Sequence, residues 1–375
     1  MRVARLAAAA CATALAGCGV FGIGSNAPKP APLTEFTAQV RPSVAWSVSV
    51  GKGGGYRFWP TVSSGRVHAA AADGTVTVVN EDNGQLISRF DLKRRLSSGA
   101  SGDGEHLFAG TIKGEVVAFD ASGKEKWQAS VGGEVLAPVT VAGKSAIVRT
   151  PDGRVFSLAL EDGKRRWVYT RATPALLLRS ESGVIATPTG VVAGYPGGKL
   201  IALDLDDGKL AWEVTVSLPR GSTELERVAD VTGLPVIDAG RLCAAAFQGK
   251  VACYDIQSGT TLWSRDISSA TGLALDERNV YVTDAEDSVH ALDREAGISR
   301  WKQDKFPRRK LTAPVISGGH VVVGDSLGYL HVLSREDGTL IGRHPVDGTA
   351  VNALVPVKGG VVVQTAGGTL SLVRF

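Results

Sequence analysis

The densest set of reactive side chains lies in Val251–Trp263, V-A-C-Y-D-I-Q-S-G-T-T-L-W. It holds a thiol, a phenol, a carboxylate and an indole within one short stretch. Such a set could serve nucleophilic or metal chemistry, but the stretch is not unique. A strand-like run, a turn, a Gly and a Trp four residues later recur at Leu200-Ile-Ala-Leu-Asp204…Gly208…Trp212 and Val289-His-Ala-Leu-Asp293…Gly297…Trp301. They recur again at Val116-Val-Ala-Phe-Asp120…Gly123…Trp127 and Arg154-Val-Phe-Ser-Leu158…Gly163…Trp167. Recurrence in register makes Asp120, Asp204, Asp255 and Asp293 turn formers rather than catalytic acids. The other candidate groups are scattered. His68, His106, His290, His320, His331 and His344 stand in different repeats, none at metal-ligand spacing with another His, Cys or carboxylate. There is no Gly-x-Ser-x-Gly elbow. Gly51-Lys-Gly-Gly-Gly55 lacks the helix that a phosphate loop opens, and it reads as a flexible connector.

The elements around these residues are strands. Apolar, β-branched runs of four to six residues alternate with Gly, Asp, Asn and Pro from Val44 onward, and no helical stripe is present. Aligning the Trp position through the chain gives Trp46, Ser88, Trp127, Trp167, Trp212, Trp263, Trp301 and Gly342, spaced 38 to 51 residues apart. A repeat of this length with four strands describes a β-propeller blade. The last unit lacks its fourth strand, and Trp46-Ser-Val-Ser-Val50 is a fourth strand with no unit before it. The expected fold is therefore all-β: an eight-bladed β-propeller of four-stranded blades over 41–375, its ring closed by the N-terminal strand. The innermost strands are expected after Pro60, Pro138, Pro188, Pro235, Pro314 and Pro356. Trp127, Trp167, Trp212, Trp263 and Trp301 are expected to dock neighbouring blades, each burying roughly 150–250 Å².

Composition agrees with this. Apolar residues make up 44%, glycines number 46, and the formal charge of +4 gives no basic face for nucleic acid. Residues 1–17 read as a secretory signal, with Arg2 and Arg5 ahead of the short apolar run Leu6–Leu15. The run is too short to span a bilayer. Its end, Leu15-Ala16-Gly17-Cys18, matches the bacterial lipoprotein box, so Cys18 is expected to carry the lipid and to be the only membrane attachment. Gly19 lacks the Asp associated with inner-membrane retention, which favours the outer membrane. Residues 18–40, with Ala27-Pro-Lys-Pro-Ala-Pro32, read as a flexible tether. Cys243 and Cys253 flank a hairpin turn. Export permits a disulfide between them, and two buried thiols are the alternative.

The repeat is stretched in two places. After Trp167 comes Val168–Ser182, with Leu176, Leu177, Leu178 and Arg179. After Trp212 comes Val216–Leu234, with Glu224, Glu226, Arg227 and Asp230. Both join an outermost strand to the next innermost one, so they lie side by side on one face. Apolar residues rimmed by charge suggest a protein-protein site. The alternative is that Leu176–Leu178 is the next innermost strand, buried.

With the lipoprotein box and these repeats, the chain resembles the BamB family of lipoproteins, subunits of the outer-membrane β-barrel assembly machine. Leu176-Leu-Leu-Arg-Ser-Glu-Ser182, Gly221-Ser-Thr-Glu-Leu-Glu-Arg227 with Asp230-Val231, and Val322–Leu330 carry the likeness. The resemblance implies a scaffold with no catalysis and no cofactor. It implies that Leu176, Leu178, Arg179 and Asp230 bind the periplasmic POTRA domains of BamA, alongside the other subunits, and that nascent barrel proteins are a further class of partner. The family pattern has a second Asp two residues beyond the first, where this chain has Thr232. The same blade motif occurs in quinoprotein dehydrogenases, which bind pyrroloquinoline quinone with Ca²⁺ beside adjacent cysteines. Here the two cysteines are ten apart. A propeller that binds a small molecule is a further alternative.

Overall fold

The computed structural model describes residues 28–375; Cys18 and residues 1–17, read above as a secretory signal, lie outside them. The described residues contain 32 strands in eight four-stranded antiparallel sheets. Seven sheets are blades of consecutive strands: 61–91, 101–130, 140–169, 185–215, 236–265, 273–303 and 315–345, here blades 1 to 7. Blade 8 takes three strands from 351–374, and Ser43–Ser49 pairs with Thr369–Arg374 as its outermost strand. The ring thus closes between the two ends of the chain, as the complementary repeat ends predict. The middle strands of each blade are buried on both sides, which explains their near-continuous Val, Ala, Ile and Leu.

The pairing register explains the Trp position. In every blade the ladder between the third and fourth strands slips by one residue just before it. For example, Ser157 faces Trp167, but Leu158 faces Arg165. The same irregularity precedes Trp46, Trp127, Trp212, Trp263 and Trp301. A bulge re-aims the side chain that follows it, here toward the next blade. Trp46, Trp127, Trp167, Trp263 and Trp301 are buried, and each donates its indole N–H to a carbonyl in the next blade's third turn: Glu81, Leu160, Leu205, Arg294 and Arg335, at 2.7–2.9 Å. The conserved spacing to Gly has the same cause. A β-carbon on Gly208 would lie 2.6 Å from the Trp167 ring, and Trp46, Trp127, Trp263 and Trp301 obstruct Gly84, Gly163, Gly297 and Gly338 alike. Trp212 departs from this pattern. It is only half-buried, a β-carbon on Gly259 would clear its ring at 4.0 Å, and it makes no indole hydrogen bond among the described residues.

Several local expectations need correction. Pro188 follows the innermost strand Ile185–Ala186 rather than preceding it, and Pro356 sits inside Val351–Val357. The Gly51–Gly55 connector is held by backbone bonds: Gly53 N–H to Ala366 O at 3.2 Å, and Ala72 N–H to Lys52 O at 3.1 Å. Residues 29–40 do not stand free as a tether. Their backbone is bonded along blade 7 from Lys29 to Val40. Cys243 and Cys253 face each other on neighbouring strands and are joined by a disulfide, with both side chains fully buried between blades 5 and 6.

Candidate functional site: two stitched loops at the channel mouth

One face of the ring carries every connection from an outermost strand to the next innermost strand, together with the hairpins between second and third strands. The two long connections meet on this loop face. Innermost blade 4 strand Ile185–Ala186 lies beyond Leu176–Leu178, so these leucines belong to a surface loop and not to a buried strand. Leu176 is 48% exposed, Leu178 is half-buried and Arg179 is exposed.

Asp230 joins the two loops. It is buried, at 2% exposure. Its carboxylate accepts the Leu178 backbone N–H at 2.7 Å and the Gly197 N–H at 2.9 Å. Hydrogen bonds to a carboxylate are charge-assisted and short. Asp230, expected among the partner-binding residues, lies beneath the loop with each carboxylate oxygen accepting one backbone N–H. Thr232 carries the stitch onward. Its carbonyl accepts the Ser180 hydroxyl at 3.5 Å, and its own hydroxyl donates to Ala270 O at 2.9 Å. Glu224 and Arg227 sit on the projecting turn 221–227 and pair with each other at 3.5 Å. Glu226 closes that turn by accepting the Ser222 and Thr223 N–H groups at 2.7 and 3.1 Å. Those two bonds, the Thr223 one first, hold its carboxyl below the usual carboxylate range.

Below the loop, Arg149 is buried and donates to Ser180 Oγ at 3.1 Å and Ser182 O at 2.9 Å. Its guanidinium lies 5.5 Å from the Tyr195 ring centroid. Burial pulls the Arg149 pKa down from its ordinary value, opposed by Tyr195 and by the carboxylates of Asp152 and Asp230. Above the loop, Arg179 donates to Glu134 at 2.7 Å and stacks over Tyr56 at 5.3 Å, and the Tyr56 hydroxyl reaches the same Glu134 at 3.2 Å. Arg57 approaches Glu181 at 3.6 Å. Burial pushes the Glu181 carboxyl up, against the pull of Arg57 and Arg179.

The loop segment Leu178–Ser182, with Arg57 and Thr232, borders a cavity of about 580 Å³ at the mouth of the central channel. Leu178, Arg179, Glu181, Trp59, Leu234 and Leu273 are among its lining. Tyr56, Arg57, Glu134 and Arg149 were not singled out from sequence. Tyr56 and Arg57 fall in the glycine-rich connector, and Glu134 and Arg149 lie in ordinary repeats. Contacts between segments far apart in the chain bring them to the Leu176–Ser182 loop.

The family described as "Outer membrane protein assembly factor BamB" matches residues 43–303. The BamB of Bordetella pertussis is 40% identical over 96% of this chain and 94% of that protein. The chain belongs to the BamB family. Among solved structures, BamB from Moraxella catarrhalis is similar with a TM-score of 0.82 and 25% identity, covering 89% of this chain and all of that one. A quinohemoprotein alcohol dehydrogenase from Pseudomonas putida HK5 is also similar, with a TM-score of 0.71 and 12% identity over 89% of this chain and 75% of that one. At that identity the likeness shows the propeller fold alone. Cys243 and Cys253, which lack the adjacency expected of the dehydrogenase alternative, are tied to each other in the core between two blades.

Proposed function

We propose that this chain is a non-catalytic scaffold of the outer-membrane protein assembly machine. It docks the POTRA domains of BamA on its loop face, and it is held at the outer membrane, facing the periplasm, by lipid on Cys18. The observation that carries this reading is the stitched pair of loops. An exposed Leu176 and a half-buried Leu178 stand beside Arg179, and a buried carboxylate fixes their backbone. A pre-ordered apolar anchor beside an arginine is the arrangement that interface hot spots favour. Arg179 already has an acidic and an aromatic neighbour within the chain, so a partner carboxylate would compete with Glu134 for it. Thr232, where the family resemblance implies a second Asp, is uncharged and has its hydroxyl and carbonyl bonded within the chain, so it offers a partner no charge. Nascent barrel strands would meet the free edges of the outermost strands, where backbone groups are open to strand addition.

The test is co-purification. A variant with Leu176→Ala, Leu178→Ala and Arg179→Ala should keep its β-sheet circular dichroism and lose BamA from a solubilised envelope pull-down. Normal recovery of BamA by the folded triple variant would refute the assignment.

A further inference from the structure

Two features of blade 7 are unexplained by the docking surface. Its Trp position is Gly342, and the chain upstream of blade 8 is bound along its outer side. Three arginines hold that segment by its carbonyls: Arg308 to Lys29 O at 2.8 Å, Arg309 to Ala31 O at 2.6 Å and Arg343 to Thr34 O at 2.9 Å. Backbone bonds continue it, from Ala31 N–H to Pro307 O at 2.9 Å and from Gln39 and Val40 N–H to Ile341 O at 2.9 and 3.0 Å. Phe36 lies under the Arg343 guanidinium at 4.9 Å and packs on the cluster between blades 6 and 7. Val40 packs, with Phe375, on the cluster between blades 7 and 8.

The missing Trp and the bound segment have one cause. Five blades dock their Trp on the third turn of the next blade. Blade 8 has no such turn, because its third and fourth strands come from opposite ends of the chain. A Trp at 342 would have no carbonyl to reach. A β-carbon there would already stand 3.0 Å from Val40 O and 3.2 Å from the Val332 side chain. We infer that residues 29–40 are a latch that closes the blade 7–8 seam in place of a docking Trp and delivers the chain upstream of Pro28 to the loop face.

The second half follows from the direction of the latch. Val40 lies where the outermost strand of blade 7 begins, and Lys29 lies at the connection between blades 6 and 7, which is on the loop face. Resting on the reading of Cys18 as the lipidated residue, about ten residues separate the anchor from the latch. At no more than ~3.6 Å per residue they span at most about 35 Å. An unlatched chain would begin its leash near Ser43 and reach roughly twice as far. The latch thus keeps the face with the paired loops toward the bilayer on a short leash.

Hydrogen exchange on the full mature chain tests the latch. The Ala31, Gln39 and Val40 amides should be protected, and Gly342→Trp should raise their exchange at least tenfold while blades 1 to 5 stay protected. Should that variant fail to fold, Phe36→Ala should raise exchange at the same three amides. Unchanged protection in a folded Gly342→Trp protein, or a stabilised seam, overturns the latch. The leash is tested on lipidated protein bound to phosphatidylethanolamine–phosphatidylglycerol vesicles with a headgroup quencher. A dye on Glu286→Cys, on the loop face, should be quenched more than one on Glu336→Cys, on the opposite face. Equal quenching, or the reverse order, overturns the orientation. Failure of the chain to float with vesicles overturns the Cys18 reading and the leash with it, and leaves the exchange result to decide the latch alone.

Discussion

Asp230→Ala separates a positioning role from direct partner contact. Asp230 is buried and accepts two backbone N–H groups, one from the Leu176–Ser182 loop and one from the hairpin of blade 4. Removing the carboxylate leaves both donors without a partner, and an unsatisfied buried donor costs about 1–3 kcal/mol. The loss is therefore roughly 2–6 kcal/mol of local stability if neither group finds water. The Leu178 donor lies on a surface loop that can turn outward, so the cost should appear as an opened Leu176–Ser182 loop rather than a molten propeller. If the docked loop falls to between a tenth and a hundredth of molecules, the apparent Kd for a POTRA fragment rises tenfold to a hundredfold. Asp230→Asn should lie between, since its amide keeps one acceptor and points a donor at a donor. The assays are surface plasmon resonance with a BamA POTRA fragment and hydrogen exchange at Leu178 and Gly197. Weakened binding with rapid exchange at both amides is the expected pair of results. Weakened binding with Leu178 still protected would refute the reasoning and return Asp230 to the contact surface. Unchanged binding would remove it from the site.

Three further outcomes follow from the same structure. Trp167→Ala should lower stability by about 3–5 kcal/mol, and Gly208→Ala should also destabilise because of the close approach at 2.6 Å; in denaturant melts the double variant should lose less than the sum, and strict additivity would contradict their contact. His68 is fully buried, and its pKa is lowered to about 4, first by burial and then by the charge of Arg66. The unfolded state then binds more protons below about pH 6.5, so His68 withdraws stability as pH falls from 6.5 toward 4, on the order of 3 kcal/mol in full; His68→Gln should flatten that part of the stability–pH curve, and an unaltered slope would assign it to other groups. The disulfide closes a loop of sequence separation ten, worth about 3 kcal/mol by chain entropy, so a Cys243→Ala, Cys253→Ala protein should melt earlier in denaturant; two free thiols found by alkylation of unreduced, denatured protein would contradict the bridge.

How much of this was legible depends on whether a residue's reason is local to its own repeat. The strands, the turns, the eight-fold count and the closure of the ring could be read from spacing, because each blade restates the same pattern. The stretched connections after Trp167 and Trp212 stood out as departures from it. The stitch between them did not. Asp230 reads as a surface charge, yet its partners are a backbone N–H in the preceding loop and another in the hairpin of blade 4, and backbone groups leave no mark in a sequence. Leu176–Leu178 could not be placed, since an apolar triplet serves a loop anchor and a buried strand equally well. Residues 29–40 misled for a different reason. A Pro-rich segment without apolar periodicity matches the composition of a tether, and what binds it is three arginines and a gap on a blade some 300 residues away. The repeat still carried a usable sign of that gap, but it lay in pairs of blades rather than in single ones. A Trp in one blade needs a Gly in the next to seat its ring. Ser88 stands at the Trp position of blade 1, and Phe90 takes over the contact with Gly123. Trp212 stands off from Gly259 and is the half-buried member of the series. Gly342 precedes the one blade without the receiving turn. Reading the repeat two blades at a time therefore points to the blade 7–8 seam as the place that something other than a Trp must close.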